Sequence, residues 1–276
     1  MVRWLLVVAL IMGGVLALGS VTPAKAKDAT LSAIDVGQGD SILVDAGIGV
    51  MIDTGNPGEH ALEKARALGS QVGALFITHL HTDHAGDATK IIGAHPAAVF
   101  WNGRTDGDLY AKIAGEAQRQ GVPLIAVVPG DIVHAGRATL RVLGPTASYR
   151  TSNDPNDTSL VIRADLPGFS ALLMGDTNLE GEATLPKNLV DVDILKVGHH
   201  GSKASTGDAL LGAATPLVAL ISDGKHNRYG HPTAEALARL QAHHIEVHRT
   251  DLEGTITVRK GSGGLIVTTS SVNAGS

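Results

Sequence analysis

The segment Thr78-His79-Leu80-His81-Thr82-Asp83-His84-Ala85-Gly86 directly follows the apolar residues 74–77. An apolar run of this length predicts a buried strand, and the polar residues after it predict a turn into a helix. Three histidines and one aspartate therefore lie where a strand ends, and imidazole and carboxylate groups suit zinc or manganese. Because alternate side chains of an extended segment point the same way, His79 and His81 suit one metal ion. Asp83 and His84, past the bend, suit a second.

The composition limits the class of protein. The chain has 276 residues, 43% hydrophobic and 18% charged, which is enough to build one large domain or two small ones. These values exclude a disordered chain, a coiled coil and a collagen-like repeat. Because cysteine is absent, any metal must be held by nitrogen and oxygen ligands. A net charge of −5 and 3% aromatic residues do not indicate a non-specific nucleic-acid binder.

The N-terminal residues have the three parts of a secretory signal. Arg3 precedes an apolar run over residues 4–21, and the small-x-small site Ala24-Lys25-Ala26 follows it. This pattern predicts that residues 1–26 are a signal peptide and that the mature protein is secreted or periplasmic. A retained membrane anchor is the alternative, because the apolar run is at the long end for a signal peptide.

Strand-like and helix-like segments alternate along the rest of the chain in two β-rich halves. Residues 31–36, 41–45 and 50–53 are separated by glycine-containing turns and predict an antiparallel meander. Helices are interleaved in both halves and no linker divides them, which predicts one α/β domain over residues 27–262, built as a four-layer αββα sandwich. Residues 263–276 are predicted to be an edge strand or a flexible tail.

The pattern H-x-H-x-D-H after an apolar strand resembles the signature of the metallo-β-lactamase fold superfamily, and further motifs follow in that family's order. Asp53 resembles the early aspartate that orients the ligand histidines from behind. Asp176 resembles the aspartate that bridges two metals, and His199 resembles the last histidine ligand. The resemblance covers almost the whole mature chain and implies the metallo-β-lactamase fold and a metal-dependent hydrolase.

Four segments resemble a narrower branch, which contains the extracellular hydrolase domain of ComEC-type competence proteins and the pneumococcal-type phosphorylcholine esterases. These segments are Asp35-Val36-Gly37-Gln38-Gly39-Asp40-Ser41, Asn156-Asp157-Thr158-Ser159-Leu160-Val161, His199-His200-Gly201-Ser202 and Tyr229-Gly230-His231-Pro232. The resemblance implies hydrolysis of a phosphodiester, with DNA or a cell-envelope phosphodiester as the substrate. It indicates no obligate protein partner.

The same resemblance implies ligands for two divalent metal ions, Zn²⁺ or Mn²⁺. Where glyoxalases and lactamases carry a further histidine ligand, Asp157 is the best match, and its neighbour Asn156 is the alternative. The expected ligands are His79, His81 and Asp157 for the first ion, Asp83, His84 and His199 for the second, and Asp176 for both. A water that bridges the two ions would lose a proton and attack phosphorus as hydroxide, with no covalent intermediate.

Other side chains are candidates for catalysis and substrate binding, and Asp83 is counted among the catalytic ones as well. His231 is a candidate general acid for the leaving oxygen, with helix capping as the alternative. His200 should point away from His199 if the segment is extended, which leaves a substrate or a packing role. Ser202 and Lys203, before a helix predicted over residues 204–211, are candidates for holding phosphate oxygens, as is Arg228. A solvated surface position is the alternative for Lys203.

Several alternatives stay open. A structural turn near the cleft is favoured over direct substrate contact for Asp35, Gln38 and Asp40, with Gln38 and Asp40 facing the metals as the alternative. A surface role is favoured for the remaining histidines, His226 among them. A basic strip of Lys187, Lys196, Lys203, Lys225 and Arg228 would suit nucleic acid if these residues converge. The same fold also supports hydrolysis of carboxylic esters, lactones or lactams, and a non-catalytic metal-binding module is the third alternative.

Overall fold

The computed structural model describes residues 15–18 and 28–271. The predicted signal peptide, residues 1–26, therefore lies outside the described residues except for the strand Val15–Leu18. Over the two described ranges, no helix combines the length and the apolar character needed to cross a membrane.

The described chain alternates strands and helices. The strands are β1 (Val15–Leu18), β2 (Thr30–Ala33), β3 (Ile42–Asp45), β4 (Gly49–Ile52), β5 (Val72–Ile77), β6 (Ala98–Trp101), β7 (Leu124–Ala126), β8 (Ile132–Ala135), β9 (Ala138–Gly144), β10 (Val161–Leu166), β11 (Phe169–Leu173), β12 (Ile194–Lys196), β13 (Val218–Ile221), β14 (Glu246–Arg249), β15 (Ile256–Gly261) and β16 (Gly264–Thr269). The helices are α1 (Ala61–Ala67), α2 (Thr82–Ala85), α3 (Ala88–Gly93), α4 (Gly107–Gln120), α5 (Leu179–Glu182), α6 (Asp208–Ala214), α7 (Ala234–Ala242) and α8 (Thr250–Glu253).

These strands form two mixed sheets of eight strands each, in the orders β16-β15-β2-β3-β4-β5-β6-β7 and β1-β8-β9-β10-β11-β12-β13-β14. The predicted meander is present, because β2, β3 and β4 pair antiparallel with one another. The C-terminal segment contains an edge strand, β16, which pairs antiparallel with β15. Strands β4 to β7 and β11 to β14 run parallel within their sheets, so their carboxyl ends lie together at one edge.

Three apolar clusters hold four layers together and confirm the predicted αββα sandwich. The inner faces of the two sheets form one apolar cluster, to which the first sheet contributes Phe76 and Phe100, with rings stacked 4.7 Å apart, and the second Leu140 and Ile162. The outer face of the first sheet packs against α1, α3 and α4. The outer face of the second sheet packs against α6 and α7. Burial of these faces is the main stabilising contribution to such a fold.

One helix begins later than the sequence predicts. The sequence favours a helix over residues 204–211, but α6 spans Asp208–Ala214. The residues before it form turns because they have tertiary partners: the buried carboxylate of Glu182 accepts the backbone N–H groups of Thr206 and Gly207. The Ser205 hydroxyl donates to the carbonyl of Gly198 at 2.7 Å. These contacts tie the turns to the segment that carries His199 and His200.

Candidate metal centre

The turn after β5 places two buried histidines against an aspartate that follows β4. Asp53 accepts hydrogen bonds from the Thr78 backbone N–H at 2.8 Å and the Thr78 hydroxyl at 2.7 Å, which fixes its carboxylate. Its Oδ2 lies 2.8 Å from Nδ1 of His84. Because Nδ1 donates to Asp53, Nε2 is the nitrogen of His84 that faces the cluster, and it lies 3.3 Å from Oδ1 of Asp176. Asp53 therefore orients His84 toward the cluster.

His79 and His81 lie side by side at the start of the same turn. The ring nitrogens His79 Nε2 and His81 Nδ1 are 3.0 Å apart. The other nitrogen of His79, Nδ1, faces the hydroxyls of Thr78 and Ser159 at 3.1 and 3.2 Å. Two neighbouring imidazoles that converge in this way suit two ligands of one cation.

Asp176, which follows β11, lies at the centre of the cluster. Its carboxylate oxygens are 4.0 Å from His79 Nε2, 3.3 Å from His84 Nε2 and 3.7 Å from His200 Nε2. Its backbone N–H donates to the Ser159 hydroxyl at 3.1 Å. Asp176 therefore lies among the imidazoles, where the sequence predicts a carboxylate shared between two cations.

His199 and His200 are placed differently from the sequence prediction. Both residues have left-handed backbone conformations, with φ of 47° and 54°, so the segment is not extended. His200, 2% exposed, turns inward: its Nδ1 donates to the Ser222 carbonyl at 3.0 Å, and its Nε2 lies 3.5 Å from Oδ2 of Asp83. His199, with its side chain 29% exposed, lines the cleft, and its ring centre is 5.6 Å from that of His231. The Nε2 atoms of His199 and His200 each lie 3.7 Å from Oδ2 of Asp176, and of the two only His200 also faces Asp83.

Asp157 also lies apart from the cluster. Its carboxylate accepts hydrogen bonds from the Ser152 hydroxyl and the Asn178 amide, and it borders a small separate pocket. Asn156 instead lines the main cleft, and its Oδ1 is buried without a hydrogen-bond partner. The two residues begin a 3₁₀ turn, Asn156–Thr158, in which consecutive side chains point in different directions. The geometry therefore favours Asn156, the alternative from the sequence, as the residue that faces the centre.

Asp40, for which the sequence favours a structural turn, and Lys196, which it places in a basic strip for nucleic acid, lie together beside the centre. Both side chains are buried, and they form an ion pair with 2.9 Å between Lys196 Nζ and Asp40 Oδ2. Asp40 Oδ1 lies 3.4 Å from His200 Nδ1. Gly39 is the sequence signal for this placement of Asp40. A Cβ at position 39 would lie 2.3 Å from the Asp83 carbonyl oxygen, so only glycine fits there. The glycine-rich turn can thus approach the histidine-rich turn closely.

The cluster forms the floor of a cleft of about 1090 Å³. Its lining comprises Asp35, Gly37, Gln38, Asn56, Glu59, Lys64, His81, Thr82, Asp83, Asn156, Asp176, His199, His200, Gly224, Lys225, His226, Asn227, Arg228, Tyr229 and His231. Of the predicted substrate residues, Arg228 is in this set and Ser202 and Lys203 are not. The Ser202 hydroxyl accepts the Ala204 backbone N–H within its own turn. His226 belongs to the cleft wall, although a surface role is favoured by its sequence context.

One wall of the cleft is the loop of residues 224–231, which Asn227 holds in shape. The Asn227 Oδ1 accepts the backbone N–H groups of Tyr229 and His231, each at 3.1 Å, and its Nδ2 donates to the His231 carbonyl at 2.7 Å. This bracing presents Lys225 and Arg228 to the cleft. Tyr229 is 60% exposed at the same wall, and its ring stacks on that of His231.

The electrostatics of the cluster indicate a site built for positive charge. Burial disfavours the imidazolium form of His200, but Asp176, Asp40 and Asp83 outweigh burial and raise the pKa of His200 to about 10. Burial is likewise outweighed at His84, whose pKa is raised well above its usual value by Asp176 and Asp53. Without metal, the carboxylates therefore draw protons onto the two imidazoles as counter-charges.

The residues present fit divalent cations. Four buried atoms that face the same space have no hydrogen-bond partner: His84 Nε2, His200 Nε2, Asp176 Oδ1 and Asp40 Oδ1. Groups of three side chains with ligand atoms within 4.8 Å of one another include His79, His84 and Asp176, and also Asp83, His84 and His200. Nitrogen and oxygen donors of this kind suit Zn²⁺ or Mn²⁺. Among the described residues, His81, Asp157 and His199 belong to none of these groups.

Comparison with known proteins agrees with this geometry. The profile of the Metallo-beta-lactamase superfamily matches residues 34–224. ComE operon protein 3 of Bacillus subtilis (strain 168) is 35% identical over 263 residues, which cover 86% of this chain and 34% of that protein. The chain spans about a third of the length of the curated relatives it matches. The predicted resemblance to the ComEC-type branch is confirmed by these relatives.

Solved structures show the same fold at low sequence identity. The metallo-beta-lactamase fold protein YhfI from Bacillus subtilis has a TM-score of 0.57 at 15% identity, with 87% of this chain and 100% of that chain covered. A diphosphatase from the PhnP family has a TM-score of 0.52 at 14% identity, with 87% and 98% covered. At these identities the likeness concerns the fold alone.

Proposed function

The chain belongs to the metallo-β-lactamase superfamily, and we propose that this metal-dependent hydrolase cleaves phosphodiesters with the help of two divalent cations. One observation carries the proposal: the carboxylate and imidazole cluster lies on the floor of a cleft whose wall presents Lys225 and Arg228. Positive side chains beside a two-cation centre suit a substrate with a negatively charged phosphate.

The two cation positions share Asp176. In the proposal, His79 and His81 hold one cation, with Asn156 nearby, and Asp83, His84 and His200 hold the other. When bound, two divalent cations would lower the pKa of a water molecule and stabilise the negative oxygens of the displacement. Zn²⁺ and Mn²⁺ both fit the donor set.

The protein's own side chains orient these groups and handle the proton of the leaving oxygen. Asp53 fixes His84, and the Ser222 carbonyl fixes His200, so that both Nε2 atoms face the cluster. His231 lines the cleft, and burial and the nearby His199 lower its pKa, which makes its imidazolium a stronger acid. We infer that His231 gives a proton to the leaving oxygen while His199 contacts the substrate beside it.

Features of the cleft favour a nucleic-acid strand over a small phosphorylcholine ester as the substrate. The cleft extends well beyond the cluster. Tyr229 has an exposed ring on the loop of residues 224–231, which also carries the positive side chains Lys225 and Arg228 and the candidate acid His231. An aromatic ring beside positive charges is a common platform for bases of a single strand. The fold is compatible with phosphate-ester chemistry, since a diphosphatase from the PhnP family has it. A cell-envelope phosphodiester outside the membrane, as the predicted signal peptide suggests, is the second substrate class.

A panel of substrates tests the reaction class. The purified protein, loaded with Zn²⁺ or Mn²⁺, should hydrolyse bis-p-nitrophenyl phosphate and lose this activity on chelation. It should turn over a p-nitrophenyl ester, a lactone and nitrocefin more slowly by comparison of kcat/KM. Preference for the ester, lactone or lactam substrates would replace the phosphodiesterase proposal with the alternative hydrolase on this fold.

Tyr229→Ala tests the nucleic-acid substrate. Loss of a stacking ring costs about 1–3 kcal/mol per base, so kcat/KM for a short single-stranded oligonucleotide should fall about 10-fold or more. An oligomer of the same length with abasic sugars has the phosphates but no bases, and its cleavage should be affected little. Tyr229→Phe, which keeps the ring, is the matched control. Equal losses on both oligomers would show that Tyr229 does not contact bases.

A further inference from the structure

A lysine at the end of β12 lies buried behind the metal centre. Lys196 is 1% exposed, and its Nζ donates to Asp40 Oδ2 at 2.9 Å and to the Val197 carbonyl at 2.8 Å. An ammonium group that is removed from water is costly unless it is paired. The two contacts therefore fix the lysine head and the Asp40 carboxylate relative to each other. Lys196 is not among the residues that line the cleft, so it does not reach the substrate.

Asp40 connects this lysine to the cluster. Its Oδ1 lies 3.4 Å from His200 Nδ1, the nitrogen that donates to the Ser222 carbonyl. The backbone N–H of Asp40 donates to the Asp83 carbonyl at 3.0 Å, and its own carbonyl accepts from Gly55 at 2.8 Å. The Asp40 carboxylate is thus anchored by its backbone on one side and by Lys196 on the other.

Two aspartates therefore lie behind the histidines of the centre. Asp53 is hydrogen-bonded to His84, whereas Asp40 acts on His200 by charge at 3.4 Å, and the two differ in what supports the aspartate. Asp53, behind His84, is held by the hydroxyl and backbone N–H of Thr78, which carry no charge. Asp40, behind His200, is held by the full positive charge of Lys196. Asp40 is itself close enough to Asp176 and His200 to form a metal-binding group. The ion pair holds one of its oxygens away from that role.

We propose that Lys196 is a positioning residue for the metal centre: through Asp40 it orients His200 and keeps Asp40 as a support of that histidine rather than a ligand. This inference rests on the proposed function in taking His200 as a ligand of one cation. Carboxylates behind ligand histidines contribute about 10–100-fold to metal affinity. The lysine therefore sets the affinity for the cation at His200 and leaves the cation at His79 largely unaffected.

Titration of the metal-free protein with Zn²⁺ or Mn²⁺ by calorimetry tests this inference, with Lys196→Met, Asp40→Asn and the double variant. Each single variant leaves one buried charge unpaired and should unfold at lower urea concentration, whereas the double variant should regain much of the loss. In all three, the affinity for one of the two cations should fall about 10–100-fold. Lys112→Met, at an exposed position of α4, is the control and should bind both cations as the wild type does.

The double variant keeps the test informative if a single variant fails to fold. Should it recover both stability and full affinity for two cations, Lys196 and Asp40 are only a structural pair and the proposal is overturned. Equal losses for both cations would overturn it as well, because the effect would not be confined to His200. A wild type that binds no divalent cation would refute the proposed function and this inference together. A wild type that binds two cations but cleaves no phosphodiester would refute the proposed function alone.

Discussion

His200→Ala should lose one of the two divalent cations and at least about 10²-fold of the phosphodiesterase activity, because it removes a nitrogen that faces Asp83 and Asp176. His199→Ala, one residue away, should keep both cations. His199 Nε2 also lies 3.7 Å from Asp176 Oδ2, but its ring lines the cleft edge-to-face with His231 and belongs to none of the three-ligand groups among the described residues, so its loss should affect turnover more than metal content. The two variants make a matched pair that differs only in which way the backbone turns the ring.

Metal content by mass spectrometry, on samples dialysed against the same metal buffer, distinguishes the two variants. The expected result is about two ions per chain for the wild type and His199→Ala, and about one for His200→Ala. Far-UV circular dichroism confirms that each variant is folded. The reverse pattern, with His199→Ala losing the ion, would restore the assignment that the sequence alone favours.

The sequence predicts the fold around His199 and His200 but not which of the two rings turns inward. The motif order and the alternation of strands and helices predict the αββα sandwich and the strand ends that carry the centre, because apolar periodicity reports burial directly. Which of two adjacent histidines turns inward depends on left-handed backbone angles at His199 and His200. No local pattern of residue types determines those angles, since non-glycine residues adopt them only where tertiary contacts compensate.

Asp157 and Asp40 illustrate the same limit. Asp157 is the stronger ligand type by chemistry, yet the 3₁₀ turn directs its carboxylate to Ser152 and Asn178. Asp40 is far from the histidine motif in the sequence, and its part in the centre arises from a close approach of two turns at Gly39. A local turn decides the first outcome and the approach of two distant segments decides the second, so residue type alone predicts neither.

Binding of the cations should release protons near pH 7, at least about one per chain, from His200. In the metal-free protein, burial opposes the charged imidazoles but the carboxylates outweigh it, so the pKa of His200 is about 10 and that of His84 is well above its usual value. His200 is then protonated at pH 7 and protonation of His84 is favoured, and a protonated ring must lose its proton before Nε2 can bind a metal. Metal affinity should therefore rise with pH, about tenfold per pH unit for each proton released, and level off only above these pKa values.

Calorimetric titration at one pH in Pipes and in Aces measures the released protons, because the observed heat changes with the ionisation enthalpy of the buffer. His200→Ala is the control and should release about one proton fewer, with a correspondingly shallower dependence of affinity on pH. Heats that are equal in both buffers, with an affinity that is constant between pH 6 and pH 8, would contradict the prediction. The histidines would then be neutral before metal arrives, and the cluster would have to balance its carboxylates by protonating them instead.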